Sequence, residues 1–82
     1  MRLLFLTRPG CHLCDDARPV VLAAAAAVGA VVEERNVESD DGLLVNYGLR
    51  IPVVLAPDGA VVAEGIIKNR RKLAAAIQRL SN

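Results

Sequence analysis

Cys11 and Cys14 bracket His12 and Leu13, and this pair is the part of the chain best suited to chemistry. Residues three apart on an α-helix have Cα atoms about 5 Å apart, from a rise of 1.5 Å and a radius of 2.3 Å. A disulfide spans roughly 4.4–6.8 Å, so the two sulfurs can bond and part with little backbone movement. A bridge closing so short a loop adds little stability, which points to redox chemistry rather than a staple. At the start of a helix, unpaired N–H groups and the positive end of the dipole favour a thiolate, and the thiolate is the nucleophile. Cys11, outermost, receives that field best, whereas Cys14, one turn in, is partly covered and suits the resolving role. Arg8 and His12 add positive charge, and Asp15 and Asp16 oppose it one turn away. The net shift expected for Cys11 is downward.

Other uses of such a pair are weaker. Zinc takes four ligands, and beyond Cys11, His12 and Cys14 there is no second Cys/His pair. Haem attachment needs His directly after the second Cys, where Asp15 stands. No metal site is therefore expected. An inert buried pair is disfavoured because strand-to-helix turns are exposed. The run Leu3 to Leu6 is four residues, against about seven to fifteen for a signal-peptide core. The reducing cytoplasm is the expected compartment, where close cysteines are more often catalytic or metal-binding than structural.

The elements that must position the pair follow from periodicity. Leu3 to Thr7 reads as a buried strand closed by Pro9-Gly10. Cys11 to about Val28 reads as a helix with Leu13, Ala17, Val20, Val21, Ala24 and Val28 on one face. Pro19 should bend it, since the hydrogen bond to the Asp15 carbonyl is lost. Gly29 stops it. Ala30 to Val37 reads as a strand near a sheet edge, with Glu33 and Glu34 on a solvated face from which one could relay protons to Cys14. Ser39-Asp40-Asp41 caps a short helix through Tyr47, which packs at its end before Gly48. Ile51 to Ala56 and Ala60 to Glu64 form a hairpin around Pro57-Asp58-Gly59. Leu73, Ala76, Ile77 and Leu80 make the stripe of a last helix. The order β-α-β-α-β-β-α gives an α/β fold: a mixed four-stranded sheet with helices on both faces.

The chain has 82 residues, 54% hydrophobic and 23% charged, which fits one globular domain over 1–82. Ten Lys and Arg against nine Asp and Glu leave +1, and the aromatics are Phe5 and Tyr47 alone. Neither a polyanionic partner nor base stacking is indicated, so no nucleic acid is expected. The longest apolar stretch, Val20 to Val32, falls short of the roughly 20 residues that span a membrane. A monomer is expected. Lys68, Arg70, Arg71 and Lys72 crowd the start of the last helix, the end where cations are unfavourable. That run reads as a solvated face or, more sharply, as an anion or acidic-partner site beside the cysteines.

Cys11-x-x-Cys14 after the first strand, Pro19 eight positions past Cys11, and Arg50-Ile51-Pro52-Val53 opening the third strand resemble the thioredoxin-fold superfamily. The closest likeness is to its small glutaredoxin-like branch, over nearly the whole chain. In that superfamily the proline opening this strand is cis and packs beside the reactive disulfide, and the residue before it pairs by backbone with the substrate. The resemblance assigns those roles to Pro52 and Ile51. Glutaredoxins typically carry Pro-Tyr between the cysteines and a Gly-Gly-polar turn that binds the γ-glutamyl carboxylate of glutathione. This chain has His12-Leu13 and Gly65-Ile66-Ile67 at those places.

The resemblance implies a dithiol–disulfide oxidoreductase with Cys11 and Cys14 catalytic. Arg8, His12, Leu13, Ile51, Pro52 and Gly65 are the candidate substrate contacts. It implies no bound cofactor, with glutathione or another low-molecular-weight thiol as possible reductant. The partners expected are a disulfide-containing protein or small thiol, and a reductase. The alternative is a non-catalytic binding module of the same fold that holds a metal or iron–sulfur cluster, or docks a protein.

Overall fold

In a computed structural model that describes residues 1–81, the first apolar run becomes β1 (Arg2–Thr7). It is followed by α1 (His12–Ala27), β2 (Val31–Asn36), a single 3₁₀ turn (Val37–Ser39), α2 (Asp41–Tyr47), β3 (Val53–Leu55), β4 (Val61–Glu64) and α3 (Arg70–Leu80). The strands form one sheet in the order β2-β1-β3-β4, in which β1 pairs parallel to β2 and antiparallel to β3. β1 has a neighbour on each side and a helix layer on each face. Leu3, Phe5 and Leu6 are therefore fully buried, and β1 reads as an unbroken apolar run rather than an alternating one. β2 lies at the edge as expected, with Glu34, Arg35 and Asn36 exposed and Glu33 half-buried.

Two clusters divide the interior. Leu3, Phe5 and Val54 pack under α1 and α3, meeting Ala17, Val21, Leu73 and Ile77. Leu6, Val53 and Leu55 pack on the other face against Leu43 and Tyr47 of α2. The alanines of α1 leave little side chain between helix and sheet, so Phe5 and Val21 fill the layer. Truncating Phe5 to Ala in such a core costs about 3–5 kcal/mol.

Some expectations shift. α1 turns Cys14, Ala17, Val21, Ala24 and Ala25 inward, and Leu13 is 42% exposed rather than on the apolar face. The reason is position along the helix rather than phase: at about 100° per residue Leu13 falls within roughly 20° of Ala24, but it stands in the first turn, and the apolar cluster under α1 begins at Ala17. Pro19 lies inside α1, as expected. β3 begins two residues later than Ile51, since Pro52 has no N–H to give to a ladder. Leu80 is exposed, and α3 is anchored by buried Leu73 and Ile77 with half-buried Ala74 beside them.

Candidate active site

The turn Arg8 to Cys11 delivers the first cysteine. Pro9 fixes φ for one central position and Gly10 takes φ +77 at the next, while the Cys11 N–H donates to the Arg8 carbonyl at 3.3 Å. Pro followed by a positive-φ glycine is the type II pattern, and a side chain at position 10 would be strained. Cys11 is then the N-cap of α1, with extended backbone (φ −88, ψ 106), and its Sγ accepts the Cys14 N–H at 3.2 Å. A sulfur thus takes the place usually held by a Ser or Asp oxygen. Cys11 and Cys14 are joined as a disulfide with Cα atoms 5.2 Å apart. Cys11 is partly exposed and Cys14 fully buried.

Register brings two further segments to the same end of the sheet. Leu6 pairs with Val53, so Pro52 falls opposite Thr7, the last residue of β1 before the cysteine turn. Val53 pairs with Glu64, and the Gly65 N–H donates to the Pro52 carbonyl at 2.8 Å. The Ile51–Pro52 peptide bond is cis, and Pro52 is buried. Ile51 is half-buried, and its N–H donates to the Tyr47 carbonyl at 3.1 Å. Gly65 takes φ +76 as the chain leaves β4.

The charged neighbours divide. Arg8 is exposed on the turn itself. The His12 imidazole is turned to Asp16, Nε2 to Oδ2 3.5 Å, along its own helix. Arg18 donates through Nε and Nη2 to the two carboxylate oxygens of Glu34, both at 2.8 Å, and through Nη1 to Asp15 at 3.1 Å. The buried Thr7 hydroxyl donates to Glu34 Oε2 at 2.9 Å. The guanidinium holds the Glu34 carboxyl below its ordinary value against the opposing effect of burial, with Thr7 adding to the shift. Arg18 is raised in turn, first by Glu34.

This clamp was not legible as part of the site. Glu34 reads from sequence as a solvated edge residue or a proton relay to Cys14, yet its carboxylate is committed to Arg18 and Thr7. Glu33 likewise faces Arg2 and Arg35. The Asp15–Arg18 spacing of three is a visible helical pair. The long-range partner Glu34 leaves no such trace. Lys68, Arg70, Arg71 and Lys72 are all exposed around the start of α3. Among the described residues, no three of His, Cys, Asp and Glu are grouped as a metal ion would require, and no helix is long and apolar enough to cross a membrane.

A mixed β2-β1-β3-β4 sheet between helices, with Cys-x-x-Cys capping the first helix and a proline entering β3, defines a thioredoxin-like α/β protein. More narrowly, the chain belongs to the glutaredoxin-like domain family (DUF836), whose profile matches residues 2–80. Among solved structures it is similar to a structural-genomics target protein, XcR50, from X. campestris. The two are 32% identical, over 96% of this chain and 93% of that one, with a TM-score of 0.66. It is also similar to a point mutant of thioredoxin from Halobacterium salinarum NRC-1, at 25% identity over 99% of this chain and 74% of that one, TM-score 0.73. A malarial protein shares the fold at 12% identity, over 95% of this chain and 93% of that one, TM-score 0.68. A comparison with curated protein sequences found no match.

Proposed function

We propose that the protein is a dithiol–disulfide oxidoreductase in which Cys11 attacks and Cys14 resolves. The observation that carries this is the placement of the pair: Cys11 Sγ sits at the helix N-terminus facing the Cys14 N–H, while Cys14 is buried behind it. In the reduced protein that N–H and the helix terminus stabilise negative charge on Cys11. The Cys11 thiolate attacks one sulfur of a substrate disulfide, forming a mixed disulfide and expelling the other sulfur as a thiolate. Cys14 loses its proton and attacks Cys11 Sγ, which expels the remaining substrate thiolate. Two electrons pass to the substrate and the Cys11–Cys14 bridge forms. Burial keeps Cys14 from external disulfides, so it reaches only the sulfur that Cys11 already holds.

Ile51, Pro52 and Gly65 form the wall against which the substrate lies, with Arg8, His12 and Leu13 on the opposite rim. The Ile51 N–H is already bonded to Tyr47, so backbone pairing to a substrate falls on the Ile51 carbonyl. Glutathione, another small thiol or a reductase returns the bridge to the dithiol. The test is reduction of a protein disulfide in two NADPH-coupled systems, one with glutathione and glutathione reductase, the other with thioredoxin reductase. Turnover in either, abolished by Cys11→Ser, is the expected result. A bridge that resists both systems and excess dithiothreitol alike, or a reduced protein that leaves the substrate disulfide intact, would refute the reading.

A further inference from the structure

Beyond Gly65 the chain builds a second feature that the chemistry above does not use. An open groove of about 450 Å³ runs between β4 and α3. Its floor is apolar, from Val62, Ala63, Leu73 and Ala76, and neither cysteine lines it. Lys68, Lys72 and Arg79 line it too. None of these three cations has an acidic partner within ion-pair distance among the described residues. Glu64 is the acid at the groove, and its carboxylate is already held by Arg50 at 2.8 Å.

Two physical facts make this more than a solvated face. α3 has no acidic residue in its first turn and carries cations there instead, against the helix dipole. β4 is an edge strand that pairs with β3 alone, so the backbone groups on its outer side are unladdered. Lys72 and Arg79 lie two turns apart on α3, about 10 Å, the length of three or four extended residues.

We propose that the β4–α3 groove docks an extended, acidic segment of a protein partner, whose backbone pairs along β4 and whose carboxylates meet Lys68, Lys72 and Arg79. The inference rests on the dithiol reading only for the kind of partner, a protein whose disulfide is presented to Cys11. Glu64 and Ile66 of the groove flank Gly65, whose N–H bonds the Pro52 carbonyl, and neither cysteine lines it. A segment lying in it would tether the partner while leaving Cys11 free.

The test uses the oxidised full chain, so that binding is read apart from any turnover. The probe is a capped Val-Glu-Val-Glu-Val-Glu peptide, with Val-Lys-Val-Lys-Val-Lys as its counterpart, titrated against ¹⁵N-labelled protein. The acidic peptide is expected to shift amide resonances of β4 and α3, to weaken as salt rises, and to bind at least tenfold less tightly to Lys72→Glu/Arg79→Glu. Both positions are exposed, and unchanged spectral dispersion confirms that the variant is folded. Equal binding of the two peptides, no binding at millimolar concentration, or shifts elsewhere would overturn the proposal. So would a single-stranded oligonucleotide or an anionic vesicle binding at these residues where the acidic peptide does not.

Discussion

Arg18 grips Glu34 through two parallel hydrogen bonds of 2.8 Å, joining α1 to the edge strand β2 one turn below the cysteines. Paired fork-to-fork contacts are the stronger kind of ion pair, but both side chains are more than a third exposed, so water screens them. Arg18→Met should lower stability by about 1 kcal/mol in urea unfolding. The pH dependence has a definite sign. Glu34 is lowered in the folded state from its ordinary 4.5, so its contribution is complete above that value and is lost as pH falls through the folded value. The wild type should lose stability over that acid range more steeply than Arg18→Met does.

The cap geometry separates the two cysteines experimentally. Serine is a better N-cap than a thiol, so Cys11→Ser keeps the helix start while removing the nucleophile. It should be as stable as the reduced wild type and inactive. Cys14→Ser should still attack and then accumulate a mixed disulfide, visible by mass spectrometry. Cys11 should alkylate faster than Cys14 at neutral pH, because Cys14 is buried. Equal rates would count against the division of roles.

Much of this was legible from residue types. The spacing of Cys11 and Cys14, the turn residues Pro9-Gly10 and Pro57-Asp58-Gly59, and the apolar runs fix the order of elements. The Gly48 and Asp40 boundaries of α2 followed from capping chemistry. What did not follow was where the core begins along α1, and long-range pairing. Periodicity places Leu13 on the apolar face, but only the way the helix lies across the sheet shows that the cluster under it starts at Ala17, one turn later. The Arg18–Glu34 clamp joins residues 16 apart in sequence and depends on the parallel register of β1 with β2. The β4–α3 groove depends on strand order, which places β4 at an edge.

Gly65, bonded to the Pro52 carbonyl, tests whether the exit from β4 is set by backbone conformation. A Cβ there would meet nothing within 4 Å, so steric room is not the constraint, whereas φ +76 is. Gly65→Ala should cost about 1 kcal/mol from the left-handed backbone alone. Gly65→Asn should cost less, because asparagine tolerates that region. Unfolding midpoints compare the two. If Ala and Asn cost the same, the conformational argument fails.

The redox poise follows from what surrounds Cys11. The helix terminus and the Cys14 N–H stabilise the thiolate, and stabilising the reduced form raises the potential. Asp15 and Asp16 oppose this, but Asp15 is tied to Arg18, so part of its charge is neutralised. The Arg18 side chain is about a third exposed, so that neutralisation is incomplete. An intermediate potential of roughly −200 to −270 mV is expected, between glutaredoxin and thioredoxin values. Equilibration against defined glutathione ratios, read by thiol counting, measures it. Arg18→Met should move the value downward, since Asp15 then acts on Cys11 without its partner. A wild-type potential near −120 mV would mean a thiolate far better stabilised than one helix terminus allows. One below −300 mV would mean a bridge that resists the thiol pool, and Cys11 would then serve the fold rather than exchange.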